Sequence, residues 1–272
     1  MRTKTLLIAA AALAVGVASS MAQTYSLNVV GYVNLPIAAN HFWFLGNQLQ
    51  TGSDVNQTNN DAATVLANGA ISDPNGALNT ELYYWTGGGY QIVSYFSAAD
   101  WNAYWGSPGP AGFYDIGSGI QYNLALNQGA GNYLFNPAGN PTATITLVGT
   151  VVQGASTITI HQGFNALSII QPVSTNIDSA LTGFVGTSDP NGANNDVLYV
   201  PAAGGGYGIA LYFSAADWNT YWGSPGPAGF YDIGSGIYES ANPNFMPKVG
   251  QAFFLYHAVA GNETWTYSFQ VQ

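Results

Sequence analysis

The 272-residue sequence contains no cysteine and only three lysine or arginine residues. Without cysteine there is no disulfide, no thiolate metal site and no thiol for a lipid anchor. The fold must therefore be held by burial and hydrogen bonding alone. Two of the three cations, Arg2 and Lys4, precede an apolar run from Leu6 to about Val17, which leads to Ser20-Met21-Ala22. A basic start, a short apolar core and a small-x-Ala site mark a secretory signal peptide rather than a membrane span. Cleavage after Ala22 leaves Lys248 against thirteen carboxylates, a formal charge of −12. Such a chain offers no basic patch to nucleic acid and little to stabilise a transferring phosphoryl group. Anionic membrane surfaces repel it, and no later apolar stretch is long enough for membrane insertion. His41, His161 and His257 lie far apart, with no HExxH pair, and no GxSxG elbow is present. Each histidine reads as a satisfied core or surface residue.

What is abundant is glycine, aromatics and repetition. Tyr95–Ile120 and Tyr212–Ile237 differ only at Ala103 and Thr220. Weaker correspondence extends outward: Ser72–Gly76 with Ser188–Gly192, Leu82-Tyr83 with Leu198-Tyr199, Gly87–Tyr90 with Gly204–Tyr207, and Tyr133–Phe135 with Phe254–Tyr256. Upstream, Val30–Val33 corresponds to Val148–Val151. A period of this length is that of a domain, not of a solenoid unit. The expectation is a mainly β protein of two tandem homologous β-sandwich or barrel-like domains with short helices, residues 23–141 and 142–272, after a signal peptide over residues 1–22.

Strands are expected over Tyr25–Pro36, Thr142–Val152, Thr157–Ile160 and Phe164–Ile170, and a hairpin from Glu81–Trp85 and Tyr90–Phe96 around a glycine-rich turn. Asn60 is placed to cap a helix over Asp61–Ala67 closed by Gly69, with a counterpart over Asn176–Leu181. Ser97 and Ser214 are placed to cap Ala98–Trp105 and its copy, with Asp100 and Asp217 at the positive helix end. The terminal strand patterns, Leu27–Val33 and Tyr267–Val271, are expected to close each its own sheet, the alternative being edge strands able to pair with another chain.

The segment Leu27–Asn34, reading LNVVGYVN, resembles the opening of a group of secreted proteins of verrucomicrobial and related bacteria. The likeness continues in Gly163–Leu167, in Leu82–Trp85 with Gly89-Tyr90, and in Val249–Tyr256. It implies secretion and a β-rich fold, and no known activity or functional residue. The near-identical FSAADWN…GSGI segment is not part of that pattern.

Three site readings follow from the residues. Trp101, Tyr104, Trp105 and Tyr114, with Trp218, Tyr221, Trp222 and Tyr231, lie on a Pro-Gly-rich loop and would stack on sugar rings, flanked by Asn and Asp for the hydroxyls. The same spacing of Trp101 and Trp105 equally suits a small buried cluster. Asp73, Asn75 and Glu81, with Asp189, Asn191 and Asp196, offer oxygen ligands for calcium, although DPNG is also a good type I turn. Asp100 and Asp115 are a remote carboxylate pair for glycoside hydrolysis. The expected function is a secreted, non-enzymatic cell-surface, matrix or self-assembling protein. The alternative is a carbohydrate-binding module using the repeated aromatic loop, with a glycoside hydrolase third.

Overall fold

The computed structural model describes residues 30–51, 60–172, 181, 183–202, 205–232, 234–238 and 246–269. The segment read as a signal peptide, and all but the last residue of the helix expected over Asn176–Leu181, lie outside them. The strands are β1 (Val30–Ile37), β2 (His41–Gly46), β3 (Glu81–Trp85), β4 (Tyr90–Phe96), β5 (Gly112–Tyr114), β6 (Gln121–Tyr122), β7 (Gly131–Asn136), β8 (Ala143–Thr150), β9 (Gly154–Ser168), β10 (Val197–Pro201), β11 (Tyr207–Phe213), β12 (Gly229–Asp232), β13 (Ile237–Tyr238) and β14 (Ala252–Phe269). The helices are α1 (Ala62–Leu66), α2 (Ala98–Trp105) and α3 (Ala215–Trp222).

The protein is mainly β, and its strand pairs are antiparallel. One six-stranded sheet runs β2-β7-β3-β4-β5-β6 and a second runs β9-β14-β10-β11-β12-β13. The two orders match strand for strand. A two-stranded ribbon joins β1 to β8, with Gly31 opposite Gly149, its counterpart in the repeated Val-Gly motif. The second half has the same ribbon fused to its sheet. Gly154–His161 of β9 pair with Asn262–Phe269 of β14, beyond a bulge that begins after His257. The two strands expected over Thr157–Ile160 and Phe164–Ile170 are thus one long strand. Gly163, at φ 88°, supplies the bend that lets it continue.

Each ribbon covers one face of its sheet. Val33, Leu35 and Ile37 of β1, with Ile145 and Leu147 of β8, are buried against Leu82, Val93, Phe113 and Leu134. In the second half Ile160 and Trp265 are buried against Leu198, Val200, Phe230 and Leu255. Burying one such side chain contributes about 1.5–3 kcal/mol, so these two cores carry the fold. Helix α1 adds Ala62, Val65 and Leu66 to the first core. Its cap is Asp61, whose carboxylate accepts the Thr64 amide, and not Asn60. Asn60 is buried instead, its Oδ1 accepting from the Thr51 amide.

The two sheets meet in a reciprocal way. Gly46 N donates to Gly250 O at 3.0 Å, and Ser168 N donates to Gly129 O at 2.9 Å. These are corresponding positions of the two repeats. Small residues make the approach possible: a Cβ at Gly46 would lie 2.3 Å from the Ser168 Cβ, and one at Gly131 would lie 2.8 Å from the Ala252 Cβ.

Candidate functional site: an aromatic trough

Side chains alternate across a strand, and here the alternation sends a row of aromatic rings to the face away from each core. On β3, Leu82 faces the core while Tyr83 and Trp85 face the other way. On β7, Leu134 faces in and Tyr133 and Phe135 out. On β14, Phe253 and Leu255 face in and Phe254 and Tyr256 out. The outward rings of both sheets meet where the sheets abut. Phe44 stacks on Tyr133 at 4.3 Å between ring centroids and lies 4.6 Å from Phe254. Trp85 lies 5.0 Å from Tyr90 and 5.7 Å from Phe254. From the other side Phe164 and Tyr207 reach Phe254 at 6.1 and 6.2 Å.

The result is an open trough of about 450 Å³ lined by Trp85, Tyr90, Tyr133, Phe164, Tyr199, Tyr207 and Phe254. Tyr90 and Tyr207 occupy corresponding positions at the ends of the two glycine-rich hairpins, and so do Tyr133 and Phe254 on the floor. The trough therefore straddles the junction of the two halves. Clefts of about 380 and 490 Å³ flank it. One is lined by His41, Phe42, Lys248 and Gln251, the other by Gln128, His161, Gln162 and Phe164. These too are counterparts, and they place polar groups beside the aromatic floor.

Two phenols of the trough, Tyr90 and Tyr207, and the nearby Tyr83 are held in the protonated form. Burial, and then the neighbouring Tyr207, push Tyr90 well above its ordinary 10.0. Burial raises Tyr207 in the same direction. Tyr83 is pushed up to about 12, first by burial and then by Glu81, to which its hydroxyl donates at 2.9 Å. A neutral phenol both donates and accepts hydrogen bonds.

In the repeated loop four of the eight rings expected to meet sugar are buried, as the small-cluster reading of Trp101 and Trp105 has it. Trp101 and Trp218 are buried, and each stacks on its partner, Tyr114 or Tyr231, at 3.6 Å. The Pro-Gly turn closes over them: Tyr114 Oη donates to Pro110 O at 2.5 Å and Tyr231 Oη to Pro227 O at 2.6 Å. Both faces of these rings are spent on packing. Only Tyr104, Trp105, Tyr221 and Trp222 keep exposed surface.

Of the expected calcium ligands, Asp73 lies beside Asn75 and Asp189 beside Asn191, with their carboxylates engaged in turn hydrogen bonds. Asp73 accepts from the Asn75 and Leu78 amides, and Asp189 from the Asn191 amide, as turn carboxylates do. Glu81 is held by Tyr83. Asp196 lies in the core and accepts from the Thr187 and Ala258 amides. Asp100 and Asp115 are each engaged in their own turns, with Ser97 and with Ser118.

Reasoning from sequence did not find the trough. Its signal was present in the Tyr83-Tyr84-Trp85 and Phe254-Leu255-Tyr256 alternations. They became a site only when the two sheets met across the junction, through the Leu45–Gln251 and Ala130–Leu167 bridges. Comparison with protein-family models, curated proteins and solved structures finds no match for this chain.

Proposed function

We propose that this chain is a secreted, non-enzymatic binding protein whose trough stacks against the rings of a neutral ligand, a glycan. The observation that carries this reading is the seven-ring trough at the junction of the two sheets. Sugar rings present CH faces to aromatic faces, while their hydroxyls need nearby donors and acceptors. The neutral phenols of Tyr90 and Tyr207, the Tyr199 hydroxyl and the amides of the flanking clefts supply those. A chain with one lysine beyond residue 22 suits an uncharged partner. In this reading residues 1–22 direct secretion, and the two matching sheets belong to two homologous domains. The pairing of β8 with β1 favours a boundary near residue 152 rather than 141.

An array of neutral glycans probed with the chain from residue 23 onward tests the proposal. Binding that falls on Tyr90→Ala and Tyr207→Ala, and persists in Trp105→Ala and Trp222→Ala, supports it. Absence of binding across neutral glycans defeats it.

Self-assembly is the second reading, and β1 favours it. Among the described residues that strand pairs only with β8, and on its outer face Val30 and Tyr32 are 56% and 69% exposed. A free edge with apolar residues on it is a template for another strand. Light scattering at high protein concentration tests this: a monomer removes the assembly reading.

A further inference from the structure

Beyond the trough, and independent of it, the core of the second half holds the one group of three or more metal-ligating side chains among the described residues. Asp196, His257 and Glu263 place one ligand atom each within 4.8 Å of one another. Asp196 and His257 are buried, at 0% and 1% exposure. Asp196 precedes β10, while His257 and Glu263 lie on either side of the bulge in β14. The bulge brings two residues of one strand round a common point.

The first half shows that the fold does not need this cluster. Thr80 occupies the position of Asp196. Its hydroxyl accepts the Ile71 amide at 2.8 Å, as Asp196 Oδ2 accepts the Thr187 amide at 2.9 Å. Its carbonyl accepts from Tyr95 as that of Asp196 accepts from Tyr212. Asn136, following Phe135, occupies the position of His257, and its amide donates to Ile37 O and Pro141 O. Pro141, following Ala-Gly-Asn, takes the place of Glu263, which also follows Ala-Gly-Asn. Neutral residues meet every backbone requirement at these places in one half. In the other half one carboxylate and an imidazole are buried, with a second, partly exposed carboxylate beside them, at a real desolvation cost.

Two details point to a cation. Glu263 Oε2 is buried and has no hydrogen-bond partner. A carboxylate oxygen left so costs stability unless something positive meets it. Second, His257 Nδ1 and Asp196 Oδ1 are hydrogen-bonded at 2.9 Å, a spacing that a shared ion can take over in place of the proton. Two ligand atoms about 2.0–2.2 Å from one first-row ion, at angles between square and tetrahedral, are separated by about 2.8–3.6 Å. Glu263 is the one partly exposed member of the set. One imidazole with two carboxylates suits zinc or a similar divalent first-row ion, and the nitrogen ligand argues against calcium.

We infer that Asp196, His257 and Glu263 form a binding site for a divalent transition-metal ion of the zinc type, which staples the bulge of β14 to the start of β10. The test uses the chain from residue 23 onward, stripped with chelator and then titrated with cobalt(II) and zinc(II). The natural chain is expected to take up one cobalt per molecule, with the visible absorption of a protein-bound ion, and to melt at higher temperature with zinc. Glu263→Gln should weaken binding by about 10–100-fold or more. The double variant Asp196→Thr, His257→Asn carries the residues of the first half and should abolish the site. Stoichiometric uptake lost in Glu263→Gln supports the inference even if the double variant does not fold. No uptake by the natural chain at submillimolar metal overturns it, and so does equal uptake by Glu263→Gln.

Discussion

Trp101 and Trp218 act as buttresses. Each is stacked on a tyrosine at 3.6 Å beneath a Pro-Gly turn, and glycine is required where the turn crosses the indole. A Cβ at Gly109 would lie 2.4 Å from Trp101 Cδ1, and one at Gly226 would lie 2.5 Å from Trp218 Cδ1. Truncating a buried aromatic leaves a cavity and costs about 3–5 kcal/mol. Trp101→Ala is therefore expected to lower stability by that amount in denaturant unfolding, whereas Trp105→Ala, 40% exposed, should cost much less. Glu263 gives a second prediction at this scale. Burial, and behind it the Asp196 carboxylate, raise Glu263 above its ordinary 4.5, with His257 opposing. The native state then holds more protons than the unfolded chain as pH rises above 4.5, so stability falls through that window. Metal-free Glu263→Gln should accordingly be more stable than the natural chain at neutral pH, with the difference vanishing under acid conditions where both states are protonated. Thermal melts across pH in chelator measure it, and unchanged pH dependence in the variant would contradict the assignment.

Among elements, α2 and α3 show what local sequence determines. Ser97 accepts the Asp100 amide at 3.1 Å and donates to its carboxylate at 2.7 Å. Ser72 ties the same carboxylate to the strand side at 2.5 Å, and Gly106 ends the helix at φ 68°. Ser214, Asp217, Ser188 and Gly223 repeat this arrangement. Ser97→Ala removes the cap and is expected to cost about 1 kcal/mol in the same unfolding assay. Both helices, their caps and the β3–β4 hairpin were legible because the interactions defining them lie within a few residues. The cap of α1 was misplaced by one residue. There two polar neighbours competed, and Asn60 was drawn into the core by Thr51. The unity of β9 was not legible, since Gln162-Gly163 reads as a break and only pairing with β14 shows the strand passing through it. The trough was hidden for a similar reason: period-2 alternation gave each ring a face, but which faces meet is fixed by contacts over a hundred residues apart, such as Phe44 with Phe254.

At the scale of the whole molecule, the two sheets abut through small residues, and the aromatic trough is built on that junction. Gly46 is the tightest point, so Gly46→Leu should drive the sheets apart, lower the melting temperature and remove ligand binding together. The trough rings themselves are partly solvent-exposed, and two of them can be trimmed without opening a core. Tyr90 and Tyr207 are 36% and 40% exposed and face each other across the junction. Each ring is expected to contribute about 0.5–1.5 kcal/mol of stacking, so losing both should weaken binding by about 5- to 150-fold. The decisive measurement is calorimetric titration of the tightest-binding neutral glycan into the natural chain and into the double variant Tyr90→Ala, Tyr207→Ala. That loss of affinity is expected with an unchanged melting temperature. Full affinity in the double variant, or no neutral glycan bound by the natural chain, would contradict it.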